Sequence, residues 1–331
     1  MEANIEQANL QEAKLHLANL FMANLKEANL KGTGLYGAKL GGANLQGTNL
    51  YGADLREANL EEAKLEGAKL GGAKFERTKL ERSYLIEANL EGAYLIKANF
   101  QGANLQGVNL KLTYLIEANL QGANLREANL QGANLEAANL EAANLEKANL
   151  KKANLKGANL KKANFKEANL SEANLEKANL IGTKLHLANL RRANIQGANL
   201  NEADIFYADL KKANLKGANL QGTNFYGTEF QEANLQGADL QGANLNRTHL
   251  ERAELKGANF EGANFEEANF EEANLQGANF EGANLRETHY LTFDQLSKVK
   301  TLHDTKLDDK LLIPLKKKYP TLFENLMNER G

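Results

Sequence analysis

Ala103-Asn104-Leu105-Gln106-Gly107 is one unit of the pattern that decides the fold. Outward from Leu105 in both directions, every fifth residue from Ile5 to Leu285 is Leu, Phe or Ile, 57 consecutive positions with no insertion or deletion. A helix buries an apolar residue about every 3.6 positions and a strand every 2, so a five-residue phase serves neither. Two residues before each of these positions stands Ala, in 47 of the 57 units. The other ten are Thr33, Thr48, Thr78, Ser83, Val108, Thr113, Thr183, Thr223, Thr228 and Thr248, so the slot admits nothing bulkier than Val or Thr. Asn lies between the two in 39 units, while Glu, Lys, Gln, Arg or Gly dominate the other two positions. Two residues in five face inward and three face solvent.

A five-residue unit cannot bury its Leu alone, but coils of such units stacked on one another share a continuous core. Gly recurs at 197, 217, 237, 257 and 277, at 222, 242, 262 and 282, and at 32, 52, 72 and 92, each series with a step of 20. Twenty residues is four five-residue sides, and Gly at a fixed corner is what a tight turn with positive φ selects. The simplest coil is square.

On these units the chain resembles the pentapeptide-repeat family, whose motif of Ala, Asp or Asn, Leu and two variable residues fits residues 3–287 nearly unit by unit. The resemblance implies an all-β solenoid, a right-handed quadrilateral β-helix, and its handedness comes from the family alone. At four units per coil the 57 units make about 14 coils, a rod roughly 68 Å long at the spacing of stacked strands. Residues 1–287 are expected to form this helix and residues 288–331 a short α-helical C-terminal cap.

The repeat pattern stops at Thr288, and both prolines, Pro314 and Pro320, follow it. Thr292-Phe293-Asp294-Gln295 has the spacing of a capping box, with Leu296 and Val299 on one face of the helix it would start. A second helix over about 307–318 carries Leu311, Leu312 and Leu315, and Lys316, Lys317 and Lys318 at its C-terminal end suit the helix dipole. A lid over the last coil is the expected role, since an open solenoid end exposes apolar side chains and unpaired backbone. A Lys-rich helix followed by Tyr319 to Phe323 also resembles the tails of family members from photosynthetic bacteria, which makes partner docking the alternative.

Catalysis finds little in this composition. There is no Cys, and Ser83, Ser171 and Ser297 are the only serines, none in a nucleophile-elbow sequence. His16 and His186 are far apart in the repeat, and His249 and His289 fall two layers apart, roughly 10 Å by strand spacing, too far to share a metal. Gly32-Thr33-Gly34-Leu35-Tyr36-Gly37 matches a dinucleotide fingerprint by letter but lacks the strand before and the helix after that the motif needs. No catalytic residue, cofactor or metal site is expected, and the chain is not read as an enzyme. No basic segment leads an apolar run at the N-terminus and no run reaches 18 apolar residues, so the expected location is the cytoplasm, away from membranes.

Outward apolar residues mark the candidate contact surfaces. Tyr84 with Ile86, Tyr94 with Ile96, and Tyr114 with Ile116 occupy solvent-facing positions, and residues 94 and 114 are one coil apart, as are 96 and 116. Tyr94, Ile96, Tyr114 and Ile116 therefore form a candidate protein-interaction patch. Leu17, Phe21 and Met22 likewise replace charge or Gly and are the candidates for self-association, a homodimer through the N-terminal end.

Charge lies in bands. Lys64, Lys69, Lys74 and Lys79 replace Asn on all four sides of one coil, and Glu261, Glu266, Glu267, Glu271, Glu272, Glu281 and Glu287 crowd the last coils. The resemblance points to DNA mimicry by quinolone-resistance members that bind DNA gyrase. The repeat holds 32 Lys and Arg against 36 Asp and Glu, a net of −4, whereas B-DNA carries about one charge per 1.7 Å. Direct nucleic-acid binding is not expected either, because basic residues encircle the coils and do not gather on one face. The reading is a non-enzymatic structural or protein-binding scaffold whose partner is another protein. A gyrase-binding DNA mimic, or an unrecognised enzyme or small-ligand binder, is the alternative.

Overall fold

The computed structural model describes residues 3–325, and residues 326–331, the end of the expected cap, lie outside the described residues. The chain divides into two units, Met1–Asn174 and Leu175–Gly331.

Within each unit one short parallel bridge forms per five residues of the repeat, to the residue 20 positions away, as in Asn104 with Asn124 and Asn214 with Asn234. The residues themselves set this spacing. The Leu105 N–H donates to the Asn124 carbonyl at 2.7 Å, and the Asn124 N–H donates back to the Ala103 carbonyl at 2.9 Å. Each side is thus a three-residue extended piece paired to the coils before and after it. Sides join through a turn that the Val108 N–H closes onto the Leu105 carbonyl at 3.2 Å. Four ladders, starting at Asn4, Asn9, Lys14 and Asn19, define the four sides.

The inward code holds along the repeat. From Leu20 to Leu285 every apolar residue of the five-residue phase is buried, and so is every small residue from Ala23 to Ala283. Each buried Leu or Phe stabilises the fold by about 1.5–3 kcal/mol relative to exposure. Hydroxyls in the small slot are satisfied: Thr113 Oγ1 donates to the Leu110 carbonyl and Thr78 Oγ1 to the Leu55 carbonyl, both at 2.7 Å. Phe260, Phe265 and Phe280 meet at centroid distances of 5.0–5.7 Å and fill the last coils.

Asn between the two inward residues has its own reason. Asn139 Nδ2 donates to Asn119 Oδ1 one coil back at 3.1 Å, and Asn139 Oδ1 accepts the Glu141 N–H at 3.2 Å. A single side chain ties two layers together and steadies the corner that follows.

At the corners glycine is not alone in the left-handed conformation. Positive φ occurs at Gly102 (65°) and Gly107 (64°), but equally at Glu127 (60°), Lys147 (58°) and Glu167 (59°). The pairing geometry demands the left-handed conformation at every corner, whichever residue stands there. Long unbranched side chains tolerate it at a cost on the order of 1 kcal/mol, which the inter-coil hydrogen bonds offset. Glu127→Val should therefore be less stable than Glu127→Gly by at least about 1 kcal/mol, read as a shift in urea midpoint at constant slope. Equal midpoints would remove backbone strain from the account.

The tail continues the ladder after the repeat pattern ends. His289 bridges Asn269 in the old register, then Thr301 bridges Asn279 and Lys306 bridges Asn284 with a step of 22. Helix α1, Phe293–Leu296, takes up the two extra residues. Its capping box forms as expected, Thr292 Oγ1 accepting the Gln295 N–H. Gln295 Nε2 also donates to the carbonyls of Phe270 and Ala273, at 2.8 and 2.9 Å. Helix α2, Asp309–Lys318, begins two residues later than expected and contains Pro314. Leu315 is its buried contact, and a 3-10 turn, Pro320–Phe323, follows.

Candidate functional site

In the first unit, one ladder reads Asp54, Lys74, Tyr94, Tyr114 along successive coils. Parallel pairing holds equivalent side chains in register, so the Tyr94 and Tyr114 rings stack at a centroid distance of 5.1 Å with planes 5° apart. They remain 41% and 43% exposed, and Ile96 and Ile116 lie half-buried at the adjoining corner. Tyr84 and Ile86 do not join them. Tyr84 bridges Lys64 and Asn104, because ten residues is half a coil and places it on the opposite side.

A cavity of about 380 Å³ adjoins this patch, lined by Tyr36, Arg56, Glu57, Glu76, Arg77, Ile96 and Lys97. Its charges are mostly committed. Arg56 grips Asp54 through two hydrogen bonds, 2.8 and 2.6 Å, and these hold the Asp54 carboxyl below the usual carboxylate range and the guanidinium above its own. The Tyr36 hydroxyl donates to Glu57 Oε2 at 2.8 Å, and that bond, more than any other cause, pushes the phenol up. Lys97 pairs with Glu117 at 3.2 Å. Among the described residues, Glu76 Oε2 is buried without a hydrogen-bond partner. The site thus offers a stacked aromatic pair and two half-buried aliphatic side chains.

Leu17, Phe21 and Met22 are 70%, 60% and 47% exposed. They lean along the wall toward the next coil, where Gly37, Gly41 and Gly42 leave room. A Cβ on Gly37 would stand 2.7 Å from Leu17 Cδ2.

The second unit carries an aromatic corner that the linear reading missed. The His186 and Phe206 rings meet edge-on at 3.9 Å, Phe206 meets Tyr207 at 6.0 Å, and Tyr207 meets Tyr226 at 5.5 Å. Arg247 closes the group, its Nη1 donating to the Tyr226 hydroxyl at 2.8 Å while Glu267 takes its other face. Tyr207 is 52% exposed, and partial desolvation is the first cause that raises its phenol pKa. The available signal was the step of 20 linking His186, Phe206 and Tyr226.

The acidic last coils are partly neutralised. Arg247 and Arg252 reach Glu267 and Glu272 one coil on, at 2.9 and 2.7 Å. Gly32 and Gly37 of the fingerprint stand at corners, and Gly34 stands in a ladder between Lys14 and Asp54. Among the described residues, no group of three or more His, Cys, Asp or Glu is placed to hold a metal ion, and no helix is long and apolar enough to cross a membrane.

The family model for pentapeptide repeats (8 copies) matches residues 1–33, 35–72, 73–111, 95–132, 109–146, 133–171, 168–205, 208–247 and 253–289. No curated protein sequence matches the chain significantly. Among solved structures it is similar to HetL, a pentapeptide repeat protein involved in heterocyst differentiation regulation from the cyanobacterium Nostoc sp. strain PCC 7120. That likeness has 35% identity, 66% of this chain, 88% of that chain and a TM-score of 0.28. A second is Rfr23 from the cyanobacterium Cyanothece 51142, at 27% identity over 40% of this chain and 88% of that one, TM-score 0.22. A third is QnrB1, a plasmid-mediated fluoroquinolone resistance protein, at 20% identity over 56% and 95%, TM-score 0.47. The match of the family model along the repeat carries the assignment: the chain belongs to the pentapeptide-repeat family, and its fold is the family's right-handed quadrilateral β-helix.

Proposed function

We infer that the chain is a non-enzymatic, cytoplasmic scaffold that binds another protein through Tyr94, Ile96, Tyr114 and Ile116. Pentapeptide-repeat proteins are generally structural or binding proteins, not enzymes. The observation that carries the reading is the stacked, exposed Tyr94–Tyr114 pair with Ile96 and Ile116 at the adjoining corner. Aromatic anchors with a polar rim are the usual energetic centre of a protein interface. Self-association through Leu17, Phe21 and Met22 is the second part of the reading, and residues 288–325 serve as the cap of the β-helix. Gyrase binding by DNA mimicry is the weaker reading, because Arg247 and Arg252 interrupt the acidic coils it would use.

The test is affinity capture with the intact chain and with a Tyr94→Ser, Ile96→Ser, Tyr114→Ser, Ile116→Ser variant, followed by mass spectrometry and a binding measurement on each captured protein. A partner whose affinity falls at least about a hundredfold in the variant, equivalent to roughly 2.7 kcal/mol, is the expected result. A partner bound equally by both chains would remove the patch from the account.

A further inference from the structure

The coil with Lys on all four sides has one side unlike the others. Lys64, Lys69, Lys74 and Lys79 are exposed, and among the described residues none of them makes an ion pair. Two positions after Lys64, Lys74 and Lys79 stands Glu, at 66, 76 and 81, but two positions after Lys69 stands Gly71. Lys69 is the one belt lysine with no carboxylate at its own corner.

Replacing Asn by Lys at this position also frees a backbone donor. In the coils before and after it on the same side, Asn49 Oδ1 accepts the Tyr51 N–H at 3.3 Å and Asn89 Oδ1 accepts the Glu91 N–H at 3.0 Å. With Lys69 between them, the Gly71 N–H has no hydrogen-bond partner among the described residues. Tyr51, one coil back, lays its ring against Gly71, where a Cβ would stand 3.3 Å from ring carbons, and Tyr51 stays 57% exposed. Gly72 and Gly92 add no side chain. The result is a cavity of about 640 Å³ whose lining includes Lys31, Tyr51, Lys69, Gly71, Gly72 and Gly92. Lys31 makes no ion pair among the described residues, and the one carboxylate present, Glu91, is paired with Lys111 at 3.4 Å.

The same unit contains a contrasting copy. Phe21 lies against Gly41 as Tyr51 lies against Gly71, but that cavity is about 300 Å³, and Glu61 and Glu62 line it with no lysine among its lining residues. Aromatic ring and glycine floor are common to both, so lysines and size distinguish the larger one.

We propose that the Tyr51 notch binds a small organic anion carrying a flat ring, of the size and chemistry of a nucleoside monophosphate. Two ammonium groups and a free N–H receive the phosphate, and the exposed Tyr51 ring receives the base by stacking. The volume falls within the range of small-ligand sites, roughly 300–1,000 Å³. Charge-assisted hydrogen bonds supply the anion's share and stacking the ring's share.

The probe is AMP titrated into the full chain by calorimetry or ligand-observed NMR, with adenosine and inorganic phosphate as separate arms. AMP is expected to bind with a Kd below about 1 mM at low salt and more tightly than either fragment, weakening as ionic strength rises. The Lys31→Gln, Lys69→Gln variant should lose at least tenfold in AMP affinity with an unchanged melting curve, both side chains being exposed. Tyr51→Ala should bring AMP down to the affinity of inorganic phosphate. AMP binding unaffected by the double variant, phosphate binding as tight as AMP in the parent chain, or no saturable AMP binding by about 10 mM each overturns the proposal.

Discussion

Leu140→Lys should destabilise the first unit by on the order of 5 kcal/mol or more, seen as a lower urea midpoint or an incompletely folded chain. Leu140 is 0% exposed, and the bridges of Asn139 to Asn119 and to Asn159 place Leu120 and Leu160, also 0% exposed, in the layers on either side. Truncation alone, as in Leu140→Ala, costs about 2–5 kcal/mol through lost burial and the cavity left behind. An ammonium group at this depth adds its desolvation, with no carboxylate in the core to compensate, since every inward slot holds Ala, Leu or a similarly small or apolar residue. In a stack where each coil contacts only its neighbours, the damage spreads to the coils on both sides. Leu140→Ala is the milder control, and a lysine variant that melts with the parent would contradict the assignment of this phase to the core.

The second large effect is expected from removing residues 288–331. The tail donates to the last coils at many points: Gln295 Nε2 to Phe270 and Ala273, Thr305 Oγ1 to the Phe280 carbonyl at 2.7 Å, and the Lys300 and Lys306 N–H groups to Ala278 and Ala283. Leu291, Leu296, Val299, Leu302 and Leu307 are buried with it. Truncation after Glu287 would expose Phe260, Phe265, Phe270 and Phe280 together with unpaired carbonyls, and light scattering should report aggregation at micromolar concentration. A finer probe is Gln295→Ala, which leaves two carbonyls without their side-chain donor and should cost about 1–3 kcal/mol. A truncated chain that stays monomeric would mean that the tail is not a lid and would return it to partner docking.

The five-residue phase made the core legible, because size selection in the Ala and Leu slots is a direct imprint of close packing. Corners were read through glycine, yet Glu, Lys and Arg share the same positive φ. The sequence marks only the corners where the strain is relieved, since hydrogen bonds that hold the others leave no residue signature. Side-wall groupings were harder still. Tyr84 and Tyr94 are near in sequence yet stand on opposite sides, since ten residues is half a coil, whereas Tyr207 and Tyr226, 19 residues apart, meet at one corner with Phe206. Surface neighbours are 20 apart in sequence, so proximity along the chain is a poor guide to proximity on the wall. The tail kept its ladder after the pentapeptide pattern had vanished, because pairing is a backbone property and needs only buried Leu and Val at suitable intervals.

The step of 20 that holds along the repeat also has a kinetic meaning. Adding a coil within a unit closes a loop of the same length as the coil before it, so the entropic cost of each addition is the same wherever it occurs. Contacts stay equally local in sequence however many coils follow. Folding of either unit should therefore proceed as a zipper with one difficult first turn, its speed governed by that nucleus and nearly independent of how long the stack eventually becomes.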